Sequence, residues 1–169
     1  MQTETLDRAA ERLGWLPRFV AESNRIEGIT RSPTMEEAAA TTVFLDLPGL
    51  TVADVEALVT VYEPGAVLRR SPDLNVRVGN HVAPAGGPAI ETELAALLNV
   101  ASWPGTDPWQ VHCNYEHLHP FTDGNGCSGR ALWLWMMLRA GPRDAAMARD
   151  LGFLHAFYYQ TLAQDRAAG

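Results

Sequence analysis

A chain of 169 residues, 47% hydrophobic and 20% charged, is expected to form one globular soluble domain that buries a core without disulfide or metal staples. Its net charge of −7 argues against a nucleic-acid groove as the main business, though not against a local cradle for a nucleotide. Two cysteines, Cys113 and Cys127, make no disulfide framework and fit a reducing, cytoplasmic setting. The start MQTETLDR is too polar for a signal peptide, and the apolar run 131–138 is too short to span a bilayer.

In chain order, residues 4–14 predict a short helix with Leu6, Ala9, Ala10 and Leu13 on one face and Gly14 as its stop. Pro17 suits the first turn of a second helix, with Phe19 and Val20 opening its apolar face and Gly28 ending it. Thr34 and Glu37 form a capping box for a helix that runs to about Leu47, where Pro48-Gly49 breaks it. Thr51 caps the next helix, 52–63, whose core stripe is Val52, Val55, Leu58, Val59 and Tyr62.

Residues 67–84 are the one stretch that reads as strand: Val76 and Val78 alternate with Asn75 and Arg77, after a turn at Ser71-Pro72-Asp73. A lone hairpin is marginal by itself, so it is expected to lie against the helical body. Pro88 opens a helix that turns Ile90, Leu94, Leu97, Leu98 and Ala101 inward. Asp107 followed by Pro108 starts another, which carries Trp109, His112, Cys113 and Glu116 on one face and delivers His119 to a loop. That glycine-punctuated loop is expected to run from His119 to Gly129, ahead of a central helix over 130–139 that is apolar nearly all round. Gly141-Pro142 ends it, and a last helix is predicted over about 144–163, with Leu151, Leu154, Phe157, Tyr158 and Leu162.

The loop before the central helix is where chemistry is expected. Backbone N–H groups around Gly124, Asn125 and Gly126 can converge on an anion, helped by the unpaired N–H groups of the following helix. Around them stand His119 as a candidate base, Asp123 as a candidate metal ligand and Arg130 as a fixed cation, a set suited to phosphoryl or nucleotidyl transfer. A rival zinc reading of His112, Cys113, His117 and His119 is disfavoured, because His112 and His117 are five apart and do not share a helix face.

The stretch HPFTDGNGCSGR, residues 119–130, resembles the signature of the Fic family, H-P-F-x-D/E-G-N-G-R-x-x-R, at every defining position but one. Cys127 stands where the family has its first arginine. The resemblance implies a mainly α fold, a Fic-like bundle of seven or eight helices with one β-hairpin flap. It implies AMP transfer from ATP to a Ser, Thr or Tyr hydroxyl of a target protein. His119 would take the hydroxyl proton, and Asp123 would hold Mg²⁺. Gly124, Asn125 and Gly126 would cradle the phosphates, and Arg130 would orient the γ-phosphate. Phe121 is expected to point inward as the loop's anchor.

Residues 23–28, SNRIEG, resemble the family's inhibitory motif S/T-x-x-x-E-G/N, placed as in the subgroup with an N-terminal inhibitory helix. By that resemblance Ser23 and Glu27 belong to an autoinhibitory segment within residues 1–30, ahead of a core at 31–169. Glu27 would pair with Arg130 and keep it from ATP. The segment 67–84 resembles the flap that holds a target segment by strand addition, through Val76, Val78, Gly79 and His81, with Arg70 and Pro84 completing the loose pattern.

The arginine-to-cysteine departure opens alternatives: a weakened adenylyltransferase, a Fic-like phosphotransferase or de-adenylylase, or a degenerate domain that only binds. No nucleic-acid or membrane partner is expected, and an oligomer is left open.

Overall fold

The computed structural model describes residues 2–150, with side chains from residue 14 onward. Among the described residues the chain forms seven helices and one small antiparallel hairpin. In order these are α1 (Gln2–Ile26), α2 (Met35–Asp46), α3 (Val52–Tyr62), β1 (Arg77–Val78), β2 (His81–Val82), α4 (Pro88–Ala101), α5 (Pro108–Leu118), α6 (Asn125–Ala140) and α7 (Pro142–Ala148). None of these helices is long and apolar enough to cross a membrane.

Helix α6 is the axis, packing against α1, α2, α3, α5 and α7. Its residues from Cys127 through Met137 are all buried, as a helix without a polar face must be. The surrounding helices present the stripes their periodicity marks out: Val55, Leu58, Val59 and Tyr62 from α3, and Ile90, Leu94, Leu98 and Ala101 from α4. Thr34 and Thr51 form full capping boxes with Glu37 and Asp54, and Asp107 caps Trp109 ahead of Pro108. At the far end of α6, Arg139 lies over the Trp135 ring at 4.1 Å and donates to the carbonyls of Leu45 and Leu47, closing the end of α2.

Four element boundaries differ from expectation. Residues 4–14 and 17–26 are not two helices but parts of one, α1, which has Pro17 inside it and ends at Ile26, ahead of Gly28. An interior proline costs about 3 kcal/mol through a lost rung and a ring clash. The neighbours Leu16, Phe19 and Val20, exposed by only 2%, 2% and 0%, offset this at roughly 1.5–3 kcal/mol each.

The loop after His119 stops at Gly124 rather than Gly129, because α6 begins at Asn125. The hairpin ladder is shorter than 67–84: Arg77 pairs with Val82 and Val78 with His81, while Val76 lies just outside. Its turn begins at Gly79, whose φ of 59° suits a residue without Cβ. The helix expected over about 144–163 begins at Pro142 and ends at Ala148, with Arg149 as its C-cap, and residues 151–163 lie outside the described residues.

Candidate functional site

The site begins where α5 ends. His119 is the C-cap of α5 at φ 48° and ψ 63°, the left-handed region that side chains with a Cβ enter at a cost of about 1–2 kcal/mol. Several bonds hold it there. Its N–H donates to Tyr115 O at 2.9 Å, and its carbonyl accepts from Arg69 Nε at 2.7 Å.

Arg69 is fully buried and also donates to the carbonyls of Leu118, Leu74 and Pro84 at 2.8, 3.1 and 2.8 Å. One guanidinium therefore joins the end of α5 to the base of the hairpin. Residues 67–69 run antiparallel to 120–122: Leu68 bridges Phe121, Thr122 N–H donates to Val67 O, and Arg69 N–H donates to Pro120 O. Phe121, 1% exposed, is the inward anchor expected of it.

Asn125 closes the loop on itself. Its side chain accepts from Phe121 N–H at 2.9 Å and donates to Phe121 O at 2.8 Å, so its amide is committed to shape. Gly124 caps α6 at φ 75°, and a Cβ there would lie 3.3 Å from both Glu63 Cγ and Val59 Cγ1. Ser128 N–H returns to Gly124 O, which leaves the N–H groups of 125–127 as the open first turn of a sixteen-residue helix. Asn125 and Gly126 thus belong to a helix N-terminus, a better anion site than the long loop foreseen.

Glu27 occupies that end of the helix. Its Oε1 lies 2.7 Å from Arg130 Nη2, and a Cβ on Gly126 would collide with the same carboxylate. Arg130, 1% exposed, also donates through Nε to Ser23 Oγ at 2.8 Å and through Nη2 to Ser23 O at 3.0 Å. Ser23, Glu27 and Arg130 are therefore brought together. Cys127 lies beside them, 5% exposed, its thiol 3.7 Å from both Asn24 Oδ1 and Arg130 Nη2. Burial pushes that thiol's pKa up, against the pull of Arg130, which leaves it a poor nucleophile.

Asp123 stands exposed at the rim, with Oδ1 accepting from Gly124 N–H at 2.8 Å. Glu63 is its acidic neighbour: burial first, then the charge of Asp123, raise the Glu63 pKa. One exposed carboxylate beside an open N-terminus fits the manner in which Mg²⁺ is held, by one or two carboxylates together with substrate phosphates. Among the described residues no three His, Cys, Asp or Glu side chains are grouped to hold a metal, so the four residues of the zinc reading do not converge.

At the hairpin, His81 turns towards the body. Its Nε2 lies 2.9 Å from His117 O and its ring 5.4 Å from the His117 ring, while Val82 faces outward at 68% exposure. Val76 and Val78 are half-buried, and Gly79 sits at the exposed turn. Arg70 is committed elsewhere, pairing with both Glu56 and Glu91. Arg69, Glu63 and Val82 also belong to this region, and no motif in the sequence marks them. A buried arginine that serves only carbonyls leaves no acidic partner at a telltale spacing.

A protein adenylyltransferase Fic from Aedes aegypti is 35% identical to this chain over 88 residues. The match covers 46% of this chain and 16% of that protein's length. No family model and no solved structure matches the chain. The chain is thus Fic-like over part of its length, and its helical fold with one hairpin accords with that relationship.

Proposed function

We propose that this chain is an autoinhibited protein adenylyltransferase, moving AMP from ATP to a Ser, Thr or Tyr hydroxyl of a target protein. The observation that carries the reading is a carboxylate, Glu27, seated on the anion-seeking end of α6 and held by Arg130. A side-chain carboxylate there stands where a phosphate would.

With Glu27 withdrawn, the N–H groups of 125–127 take phosphate oxygens and Arg130 takes the γ-phosphate. His119, at the lip of the same loop, accepts the proton of the target hydroxyl. That oxygen bonds to the α-phosphorus as the bond to the bridging oxygen breaks, and pyrophosphate leaves. Asp123 is the residue to hold Mg²⁺, which when bound offsets charge on the phosphates. The exposed hairpin around Val82 holds the target by strand addition, with Arg69 and His81 fixing its base to the loop.

Cys127 favours a second reading, since a buried thiol cannot clamp phosphate as an arginine does. That reading is a Fic-like phosphotransferase or de-adenylylase, or a domain that binds without turnover. Mass spectrometry on the Glu27→Gly protein with Mg-ATP separates them. An AMP adduct on the protein or a target supports the proposal, and a different adduct supports a changed reaction. Target capture that survives His119→Ala, with no adduct in any variant, overturns it in favour of binding.

A further inference from the structure

We infer that Glu37 is a positioning residue for inhibition: its buried carboxylate ties down both ends of the segment that carries Glu27. This rests on reading Glu27 as the group that blocks the cradle. Glu37 is the third residue of α2, and its cap requires only that it accept from Thr34 N–H, which it does at 2.8 Å. It does much more. Asn24 Nδ2 donates to it at 3.2 Å, and Arg31 donates through Nη1 and Nη2 at 3.0 and 2.6 Å. The side chain is 1% exposed, far more buried than a surface cap needs to be.

The two partners bracket Glu27. Asn24 is itself fully buried, and its carbonyl accepts from Glu27 N–H at 3.0 Å and Ile29 N–H at 2.9 Å, which shapes the end of α1. Its Oδ1 faces Cys127 Sγ, so the same side chain spans α2 and α6. Arg31 holds the exit from that turn. A carboxylate with four donors cannot be replaced by an amide, which offers a single acceptor oxygen and two donors of its own. Burial alone would raise the Glu37 pKa, but the bonds from Arg31 and Thr34 outweigh it and hold the group ionised below the ordinary carboxylate range.

The clamp makes release of Glu27 depend on contacts made outside the cradle. Loss of the Asn24 and Arg31 bonds frees residues 24–31 to swing away while Arg130 and the helix N-terminus stay as they are.

The test compares Glu37→Gln with Thr34→Ala, which weakens the same helix cap but leaves Asn24 and Arg31 in place. A fluorescent ATP analogue with Mg²⁺ is titrated by anisotropy, and hydrogen exchange is followed across residues 24–31. Glu37→Gln is expected to bind the analogue about tenfold more tightly than wild type, a common size for coupling between two sites. Thr34→Ala is expected to match wild type, and Glu37→Gln added to Glu27→Gly to gain nothing further. Exchange at 24–31 is expected to quicken in Glu37→Gln alone.

If Glu37→Gln folds poorly, Arg31→Ala on the half-exposed side of the clamp is expected to give a smaller change of the same sign. The inference is overturned if Glu27→Gly gains affinity while Glu37→Gln and Arg31→Ala do not. If Glu27→Gly gains nothing, the reading of the cradle fails. The clamp is then judged by exchange alone: unchanged protection at 24–31 in Glu37→Gln overturns it, and faster exchange there supports it.

Discussion

Arg69 Nε donates to the carbonyl of His119 at 2.7 Å, so the left-handed residue proposed as the base is held by a buried cation fifty positions earlier in the chain. The same guanidinium reaches Leu118 O, Leu74 O and Pro84 O, with no carboxylate among these partners. Lysine keeps the charge but loses the planar fork. Arg69→Lys is expected to strand buried carbonyls and destabilise the fold by about 3 kcal/mol, read as a lower denaturant midpoint. Transfer by the Glu27→Gly protein is expected to fall with it, since His119 loses its support.

Glu63 works the other way. Its pKa is raised by burial and by Asp123, so the folded state holds the proton more tightly than the unfolded chain. The penalty is absent below the ordinary glutamate value of about 4.3, builds as pH rises from there to the raised folded value, and is constant above it. Glu63→Gln is therefore expected to melt at a higher temperature than wild type at pH 7 and to match it near pH 4. An equal Tm at both pH values contradicts the repulsion.

Gly129 lets α5 and α6 approach. A Cβ there would come within 2.6 Å of Glu116 Oε1, 3.0 Å of Tyr115 Cδ1 and 3.3 Å of His112 Cε1. His112 and Glu116 are 1% and 4% exposed, so neither has room to withdraw freely. Gly129→Ala is expected to cost about 1–3 kcal/mol by overpacking, checked by chemical denaturation.

Cys127 bears on rate. Placed in the Glu27→Gly background, Cys127→Arg is expected to raise AMP transfer by about 10²–10³, the usual effect of one charge-stabilising donor. A time course of adduct mass measures it, and an unchanged rate means this site does not need an arginine at position 127.

Much of the fold was legible in the chain because its signals are local. Thr34, Thr51 and Asp107 cap where their side chains and spacing demand, and the apolar run in α6 is buried on every side. What was not legible depended on tertiary packing. Pro17 and Gly14 argue for a break that the burial of Leu16, Phe19 and Val20 overrides. Gly126 and Gly129 disguise the first turns of α6, which Asn125 and Ser128 stabilise through side-chain bonds to Phe121, Gly124 and Tyr115. At the site, Ser23, Glu27 and Arg130 meet, a contact that only the motif resemblance implied. Arg69 and the clamp at Glu37 depend on contacts that no local pattern records.

Glu27 and a nucleotide are proposed to compete for one end of α6. Titration calorimetry of Mg-ATP into wild type and Glu27→Gly measures that competition directly. Tighter binding by the glycine variant, lost again when Arg130→Ala is added, is the predicted result. Equal or weaker binding by Glu27→Gly, in a protein whose circular dichroism matches wild type, would contradict it.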